Sequence, residues 1–287
     1  MKVALGTAQF GMQYGIANKH DPIKLDEAKK ILALAQEFSI DTIDTASNYG
    51  TSEKILGSCN LSTFKLNTKI KSYPSSCNDL HLWVAEEISN SLKNLNIDII
   101  DTLFIHHPSD LFLPQGQTFL DALVLAKEEG LFKKIGVSIY APEELNALFD
   151  LYSFDVVQAP FNLVDKRLLH SGWLNRLSAM NVEVQTRSAF LQGLLLLPYS
   201  NLEEKFTEWS LFSVWKDWLE DNEMNALEVA LAYPLSIDQI DKVIVGVDSL
   251  SQFKQLIDAV KSTQSLIFPQ IESTDINLLH PGNWANL

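Results

Sequence analysis

A chain of 287 residues with 46% hydrophobic side chains has material for one large α/β domain or two ordinary ones. Its formal net charge of −14 and pI near 4.8 disfavour unassisted binding to nucleic acid or to an anionic membrane surface. Two cysteines, Cys59 and Cys77, exclude a disulfide framework or a cysteine metal site and read as free thiols of a reducing compartment.

The start, MKVALGTAQFG, carries no signal-peptide cleavage pattern, and no apolar run approaches the roughly 18 residues of a membrane span. A cytosolic protein is expected. The first strand is expected over 2–6, ended by a glycine-rich turn through Gly11 and Gly15. Residues 25–38 place Ala28, Ile31, Leu32, Leu34 and Ala35 at helical spacing, with Asp26 and Glu27 suited to the positive helix end. Strands follow at 40–44 and 64–69, separated by a short helix over 52–56. Residues 79–95 read as a helix with Leu82, Val84, Ile88, Leu92 and Leu95 as its apolar stripe. Further strands are expected at 99–105, 134–138, 156–158, 182–186 and 242–247. Helices are expected at 119–129, 143–151, 174–180, 202–220, 226–233 and 250–260, with Pro142 opening the second of these.

Eight strands alternating with helices, without a linker or low-complexity tract, imply a parallel sheet closed as a single (β/α)₈ TIM barrel over 1–287. A doubly wound sheet would carry G-x-G-x-x-G after its first strand. Gly6-Thr-Ala-Gln-Phe-Gly11 does not match it.

In such a barrel, functional side chains sit at strand C-termini and in the loops that follow. Asp44 ends the second strand and Tyr49 lies in its loop; Lys69 ends the third strand and His106-His107-Pro108 the fourth. Each has a bland reading, as cap, loop packing or surface lysine, but together they offer a carboxylate, a phenol, an ammonium and an imidazole to one rim. The set suits carbonyl reduction. An ammonium near a tyrosine lowers its pKa, an aspartate holds the ammonium, and a histidine orients the carbonyl oxygen. It contains no hydride source, so a cofactor is required. The loops after strands seven and eight, residues 187–193 and 246–249, are where barrels commonly bind phosphate, and the second runs into a helix N-terminus. Alternatively, Gly246 and Ser249 only cap that helix.

Over nearly its whole length the chain resembles the aldo-keto reductase family. The matching pieces are Leu5-Gly6-Thr7, Asp44-x₄-Tyr49-Gly50, Thr68-Lys69, Ile105-His106-x-Pro108, Gly136-Val-Ser138, Val157-Gln158, Leu191-Gln-Gly-Leu-Leu195 and Ile244-Val-Gly246. The resemblance implies a barrel, an extended nicotinamide cofactor (usually NADPH) and reduction of an aldehyde or ketone. It implies Tyr49 as general acid, Lys69 and Asp44 as the partners lowering its pKa, and His106 orienting the carbonyl. Strand parity leaves His106 and His107 equivalent; the family's His-x-Pro pattern selects His106. Ser138, Gln158 and Asn162 match positions near the nicotinamide carboxamide. The cofactor set implied is Ser138, Gln158, Arg187, Gln192, Gly193, Gly246, Asp248, Ser249, Gln252 and Gln255.

Ile139 stands where many relatives have asparagine, Arg187 where many have an aromatic ring, and Gln252, Gln255 and Leu256 where many have basic, acidic and asparagine side chains. Asp248 puts negative charge where a 2′-phosphate would lie, with Lys242 and Lys254 the nearby cations in sequence, which leaves NADH open beside NADPH. The expected partner is a small-molecule carbonyl compound. Arg187, Gln9, Asn48 and Asn162 hint at a hydroxylated or anionic one, such as a sugar-type carbonyl. Two rivals stand: a regulatory barrel that holds NAD(P)H with little turnover, and a lyase or isomerase using Lys69 as a Schiff base.

Overall fold

Eight parallel strands close in sequence order in the computed structural model, which describes all residues except 17, 19, 20 and 263–266. They are β1 (Val3–Gly6), β2 (Thr42–Asp44), β3 (Lys65–Ile70), β4 (Ile100–Ile105), β5 (Phe132–Ser138), β6 (Val156–Pro160), β7 (Glu183–Arg187) and β8 (Lys242–Gly246). β1 pairs with both β2 and β8, which completes the ring. The register aligns Gly6 with Asp44 and Gly246, Ser138 with Gln158, and Pro160 with Arg187, so the strand ends share one rim.

Around the barrel run α1 (Leu25–Glu37), α2 (Ser52–Gly57), α3 (Leu80–Leu95), α4 (Gly116–Glu128), α5 (Glu144–Leu151), α6 (Trp173–Ala179), α7 (Leu211–Asp221), α8 (Ala226–Leu235) and α9 (Leu250–Ser262). Strand residues Leu5, Ile43, Leu103, Val137 and Val184 join helix residues Ile31, Ile88, Leu123, Leu145 and Phe253 in one continuous apolar core. Burying that layer is what drives closure. The interior holds polar side chains as well. Asn67 on β3 donates to Gln185 on β7 at 3.1 Å, a bond that spans the barrel.

Two expectations are corrected. Residues 202–220 are not one helix: Tyr199–Asn201, Glu204–Thr207 and α7 are separate pieces. The C-terminal tail holds the break, since Lys205 donates to the Trp284 carbonyl at 2.9 Å, Trp209 to Asp275 at 3.0 Å, and Phe206 packs edge-on against Trp284. Tertiary contacts there outweigh helix propensity. On α3, Leu82 is exposed and Leu80 is buried in its place. Asp79 caps the helix by accepting from the Leu82 amide at 3.0 Å, so the first turn starts one residue later than the apolar pattern implies. Among the described residues no helix is long and apolar enough to cross a membrane.

Candidate active site

Asp44 is placed by a polar lattice beneath it. Thr7 Oγ1 donates to the Asp44 carbonyl at 2.9 Å, and Ser52 Oγ donates to the Thr7 carbonyl at 2.8 Å while sitting 3.0 Å from Thr45 Oγ1. The loop carrying Tyr49 is pressed against the first loop. A Cβ on Gly11 would stand 1.8 Å from the Tyr49 carbonyl, and Gly50 adopts φ +57° with its own missing Cβ 2.2 Å from the Gly11 carbonyl. Only glycine allows the two backbones to approach this closely.

Lys69 and Asp44 form a buried ion pair at 2.6 Å, and Lys69 also donates to the Thr45 carbonyl at 2.9 Å. Burial depresses the Lys69 pKa, and the adjacent Asp44 carboxylate opposes that shift. The Lys69 ammonium lies 5.1 Å from the centre of the Tyr49 ring, and His106 meets that ring edge-on at 5.9 Å. His106 is half-buried, whereas His107 is exposed and stacks on its outer side. The geometry separates the two histidines where strand parity does not.

Tyr49 does not have the lowered pKa expected of it. Burial raises it and the Asp44 charge adds to the rise, against a lowering by Arg187. Lys69 is bonded to Asp44, and it is the Asp44 charge that adds to the effect of burial on the phenol. His106 is pushed down to about 3, first by burial and then by Lys69, His107 and Arg187, so it is neutral across the working pH range. Because its folded pKa lies below the unfolded value, the unfolded chain binds the extra proton between pH about 3 and 6.5, and stability falls as pH drops through that window. His106→Asn is expected to flatten the acid limb of stability against pH by up to about 1.4 kcal/mol per pH unit. Denaturant melts between pH 4 and 7 measure this; parallel limbs for the two proteins would contradict it.

A groove of about 790 Å³ runs from Asp44 and Tyr49 past Gly6, Gln158 and Arg187, along the loops after β7 and β8, to Gln252, Gln255 and Asp258 on α9. Its β7 side is a tight loop in which Ser188, Leu191 and Gln192 take positive φ, with Gly193 at +98°. Non-glycine residues are held in that region only by surrounding structure, and such strain clusters at ligand clamps. Gln158 donates from Nε2 to Asp44 Oδ1 at 2.8 Å. A carboxylate accepts only, so the amide orientation is fixed and Oε1 is left buried with no hydrogen-bond partner. A nicotinamide carboxamide NH₂ would satisfy that acceptor, and the groove has the size of a cofactor site. Ser138 is buried beside Gln158 in register. Among the described residues no group of acids, histidines or cysteines could hold a metal.

At the far end, two of the first helix amides expected to meet a phosphate are engaged, as is the Asp248 amide before them. The Leu250 amide donates to Glu27 Oε1 at 2.8 Å, the Gln252 amide to Ser249 Oγ at 3.2 Å, and the Asp248 amide to Gln252 Oε1 at 2.8 Å. Lys242 belongs to the opposite rim, where it pairs with Asp41 and donates to the Met1 carbonyl at 3.1 Å. Asn162, expected near the carboxamide, spends its side chain on its own loop, donating to the Ser188 carbonyl at 2.9 Å and accepting from Val164 and Asp165. Asn48 is exposed and apart from the groove. Lys69 is almost fully buried and doubly bonded, which leaves no exposed amine for a Schiff base.

Sequence reasoning missed Tyr14, Tyr140 and Glu27. Tyr14 lines the groove and accepts from Gln192 at 3.3 Å; desolvation and the neighbouring Tyr49 raise its pKa. Its position between Gly11 and Gly15 was the available signal. Tyr140 lies beneath Arg187, 4.4 Å from the guanidinium carbon.

The sequence model of the Aldo/keto reductase family matches residues 2–269. The chain is 25% identical over 305 aligned residues to L-galactose dehydrogenase of Arabidopsis thaliana, covering 96% of this chain and 89% of that protein. It is 26% identical over 217 residues to oxidoreductase sirO of Leptosphaeria maculans, covering 72% of this chain and 65% of that protein. In fold it resembles aldo-keto reductase AKR11C1 from Bacillus halodurans, with a TM-score of 0.72 at 21% identity, over 92% of this chain and 88% of that one. The closed parallel barrel and the family match agree, and the chain belongs to the aldo/keto reductase family, as an NAD(P)H-dependent oxidoreductase.

Proposed function

We propose that the protein reduces an aldehyde or ketone to an alcohol, with Tyr49 as proton donor and NADH as the favoured reductant. The observation that carries this is the phenol of Tyr49, set between the buried Lys69–Asp44 pair and a neutral imidazole at one end of the long groove. A bound nicotinamide supplies hydride to the carbonyl carbon. The Tyr49 hydroxyl gives its proton to the carbonyl oxygen as charge gathers there. A raised pKa does not prevent this, because it keeps the phenol protonated and an alkoxide is a stronger base than a phenolate. Neutral His106 donates a hydrogen bond to the same oxygen and fixes its direction. Gln158 holds Asp44 on one side and offers Oε1 to the carboxamide on the other. Ser138, Gln192 and Gly193 shape the reactive and middle parts of the cofactor path. Gly246, Asp248, Ser249, Gln252 and Gln255 shape its distal part.

The preference for NADH rests on charge. Glu27 and Asp248 bring two carboxylates to the N-terminus of α9, and Asp258 lies further along the same wall. A 2′-phosphate there would meet like charge, with the Leu250 and Gln252 amides already engaged. NADH is expected to bind at least about tenfold tighter than NADPH, and Asp248→Ser with Glu27→Gln to narrow that ratio. Quenching of tryptophan fluorescence on titration with each nucleotide measures it; equal affinities, or tighter NADPH, would contradict the assignment. Cys59 and Cys77 are both free thiols, in keeping with a cytosolic setting. Initial rates with NADH and a panel of aldehydes test the activity. Tight nucleotide binding without turnover of any of them would favour the regulatory barrel instead.

A further inference from the structure

The chain has three arginines against 36 acidic residues. Arg167 is paired with Asp165 by bonds of 2.8 and 2.7 Å. Arg176 lies over the ring of Trp173. Arg187 is the one that lines the groove, and it is half-buried there. Among the described residues its guanidinium donates to the Ile139 carbonyl at 3.0 Å and enters no ion pair. A partly desolvated cation without a counter-ion is costly to keep, and a guanidinium fork matches a carboxylate with two parallel bonds.

The fork is also held still. Tyr140 lies beneath it, stacks on His280 of the tail at 4.4 Å, and is tied through its own amide to Glu144 at 2.8 Å. Arg187 ends β7 in register with Pro160, two residues beyond Gln158 on β6, and so stands at the Tyr49 end of the groove rather than at the α9 end. We infer that Arg187 anchors a carboxylate on the substrate, making carbonyl compounds with a carboxylate a few bonds from the reacting carbon the preferred class. A monoanion fits better than a phosphate dianion. One guanidinium balances one charge, and Glu228, Asp248 and Asp258 already make the groove acidic.

The inference rests on the reductase reading, and the test separates the two. Rates with NADH are compared for 4-oxobutanoate and its methyl ester, which share a skeleton and differ in the charge. The acid is expected to have kcat/KM about 10- to 100-fold above the ester, carried mostly by KM. Arg187→Met is expected to bring the ratio close to one, and Arg187→Lys to restore it in part. Nucleotide affinity, read by fluorescence on the same proteins, separates this role from the cofactor role that the resemblance implies for Arg187. Equal use of acid and ester by the unaltered protein would overturn the carboxylate anchor while leaving the reductase intact. Collapse of NADH binding in Arg187→Met, with the acid-to-ester ratio retained, would assign Arg187 to the cofactor and overturn the inference too. No reduction of either compound together with no nucleotide binding would remove both readings.

Discussion

Replacing Tyr49 with phenylalanine is expected to lower carbonyl reduction by about 10²- to 10⁴-fold while leaving NADH affinity within a few-fold of the unaltered protein. The substitution deletes one hydroxyl and keeps the ring that meets His106 edge-on at 5.9 Å and lies 5.1 Å from the Lys69 ammonium. Packing should therefore survive, and the loss should fall on kcat rather than KM, since the proton is needed only as negative charge gathers on the oxygen. Neutral His106 cannot replace the donor as an imidazolium, because burial holds its pKa down to about 3. Steady-state kinetics of the variant, with nucleotide titration alongside, provide the check. Turnover within threefold of the unaltered protein would take Tyr49 out of the reaction. Tyr14, whose hydroxyl lines the same groove, would then be the next phenol to test.

The second large effect is on stability. Asp44→Ala removes the carboxylate paired with a Lys69 ammonium that is 1% exposed and otherwise bonded to the Thr45 carbonyl. Breaking a buried pair from one side typically costs about 3–5 kcal/mol, or roughly 10 °C in thermal midpoint for a chain of this size. Gln158 would lose its acceptor in the same change. The penalty should shrink as pH rises. Lys69 has a folded pKa below its unfolded value, so the unfolded state binds more protons and alkaline pH favours the fold. The double variant Asp44→Leu, Lys69→Met, with no buried charge left, should regain much of the lost midpoint without regaining activity. Calorimetry of the three proteins across pH decides this. A midpoint for Asp44→Ala within about 2 °C of the unaltered protein would mean that the pair is not a structural requirement.

Much of this site was legible because strand ends are legible. Strand segments that end at or beside Asp44, Lys69 and His106 announce the rim to which those residues belong, and eight strands alternating with helices indicate the barrel. What escaped depends on contacts that no local pattern encodes. Glu27 reaches the Leu250 amide across 223 residues, and the tail residues Asp275 and Trp284 break the helix expected over 202–220. Asn162 looked like a ligand residue because a buried asparagine and a loop-closing asparagine read identically in sequence; its hydrogen bonds assign it to the loop. The pKa of Tyr49 depends on burial rather than on residue type. Residue types supply the sign of each neighbour's effect, but not the depth at which the phenol is buried, which is the first cause of its raised pKa, nor that the Asp44 charge adds to it.

The most direct test of hydride transfer at this rim uses NADH carrying deuterium at both C4 positions and a carboxylated aldehyde such as 4-oxobutanoate, with the product alcohol read by mass spectrometry. One deuterium per alcohol is expected, bonded to the former carbonyl carbon, with loss of that product in Tyr49→Phe. Alcohol formed without deuterium, or equally abundant from the variant, would contradict it.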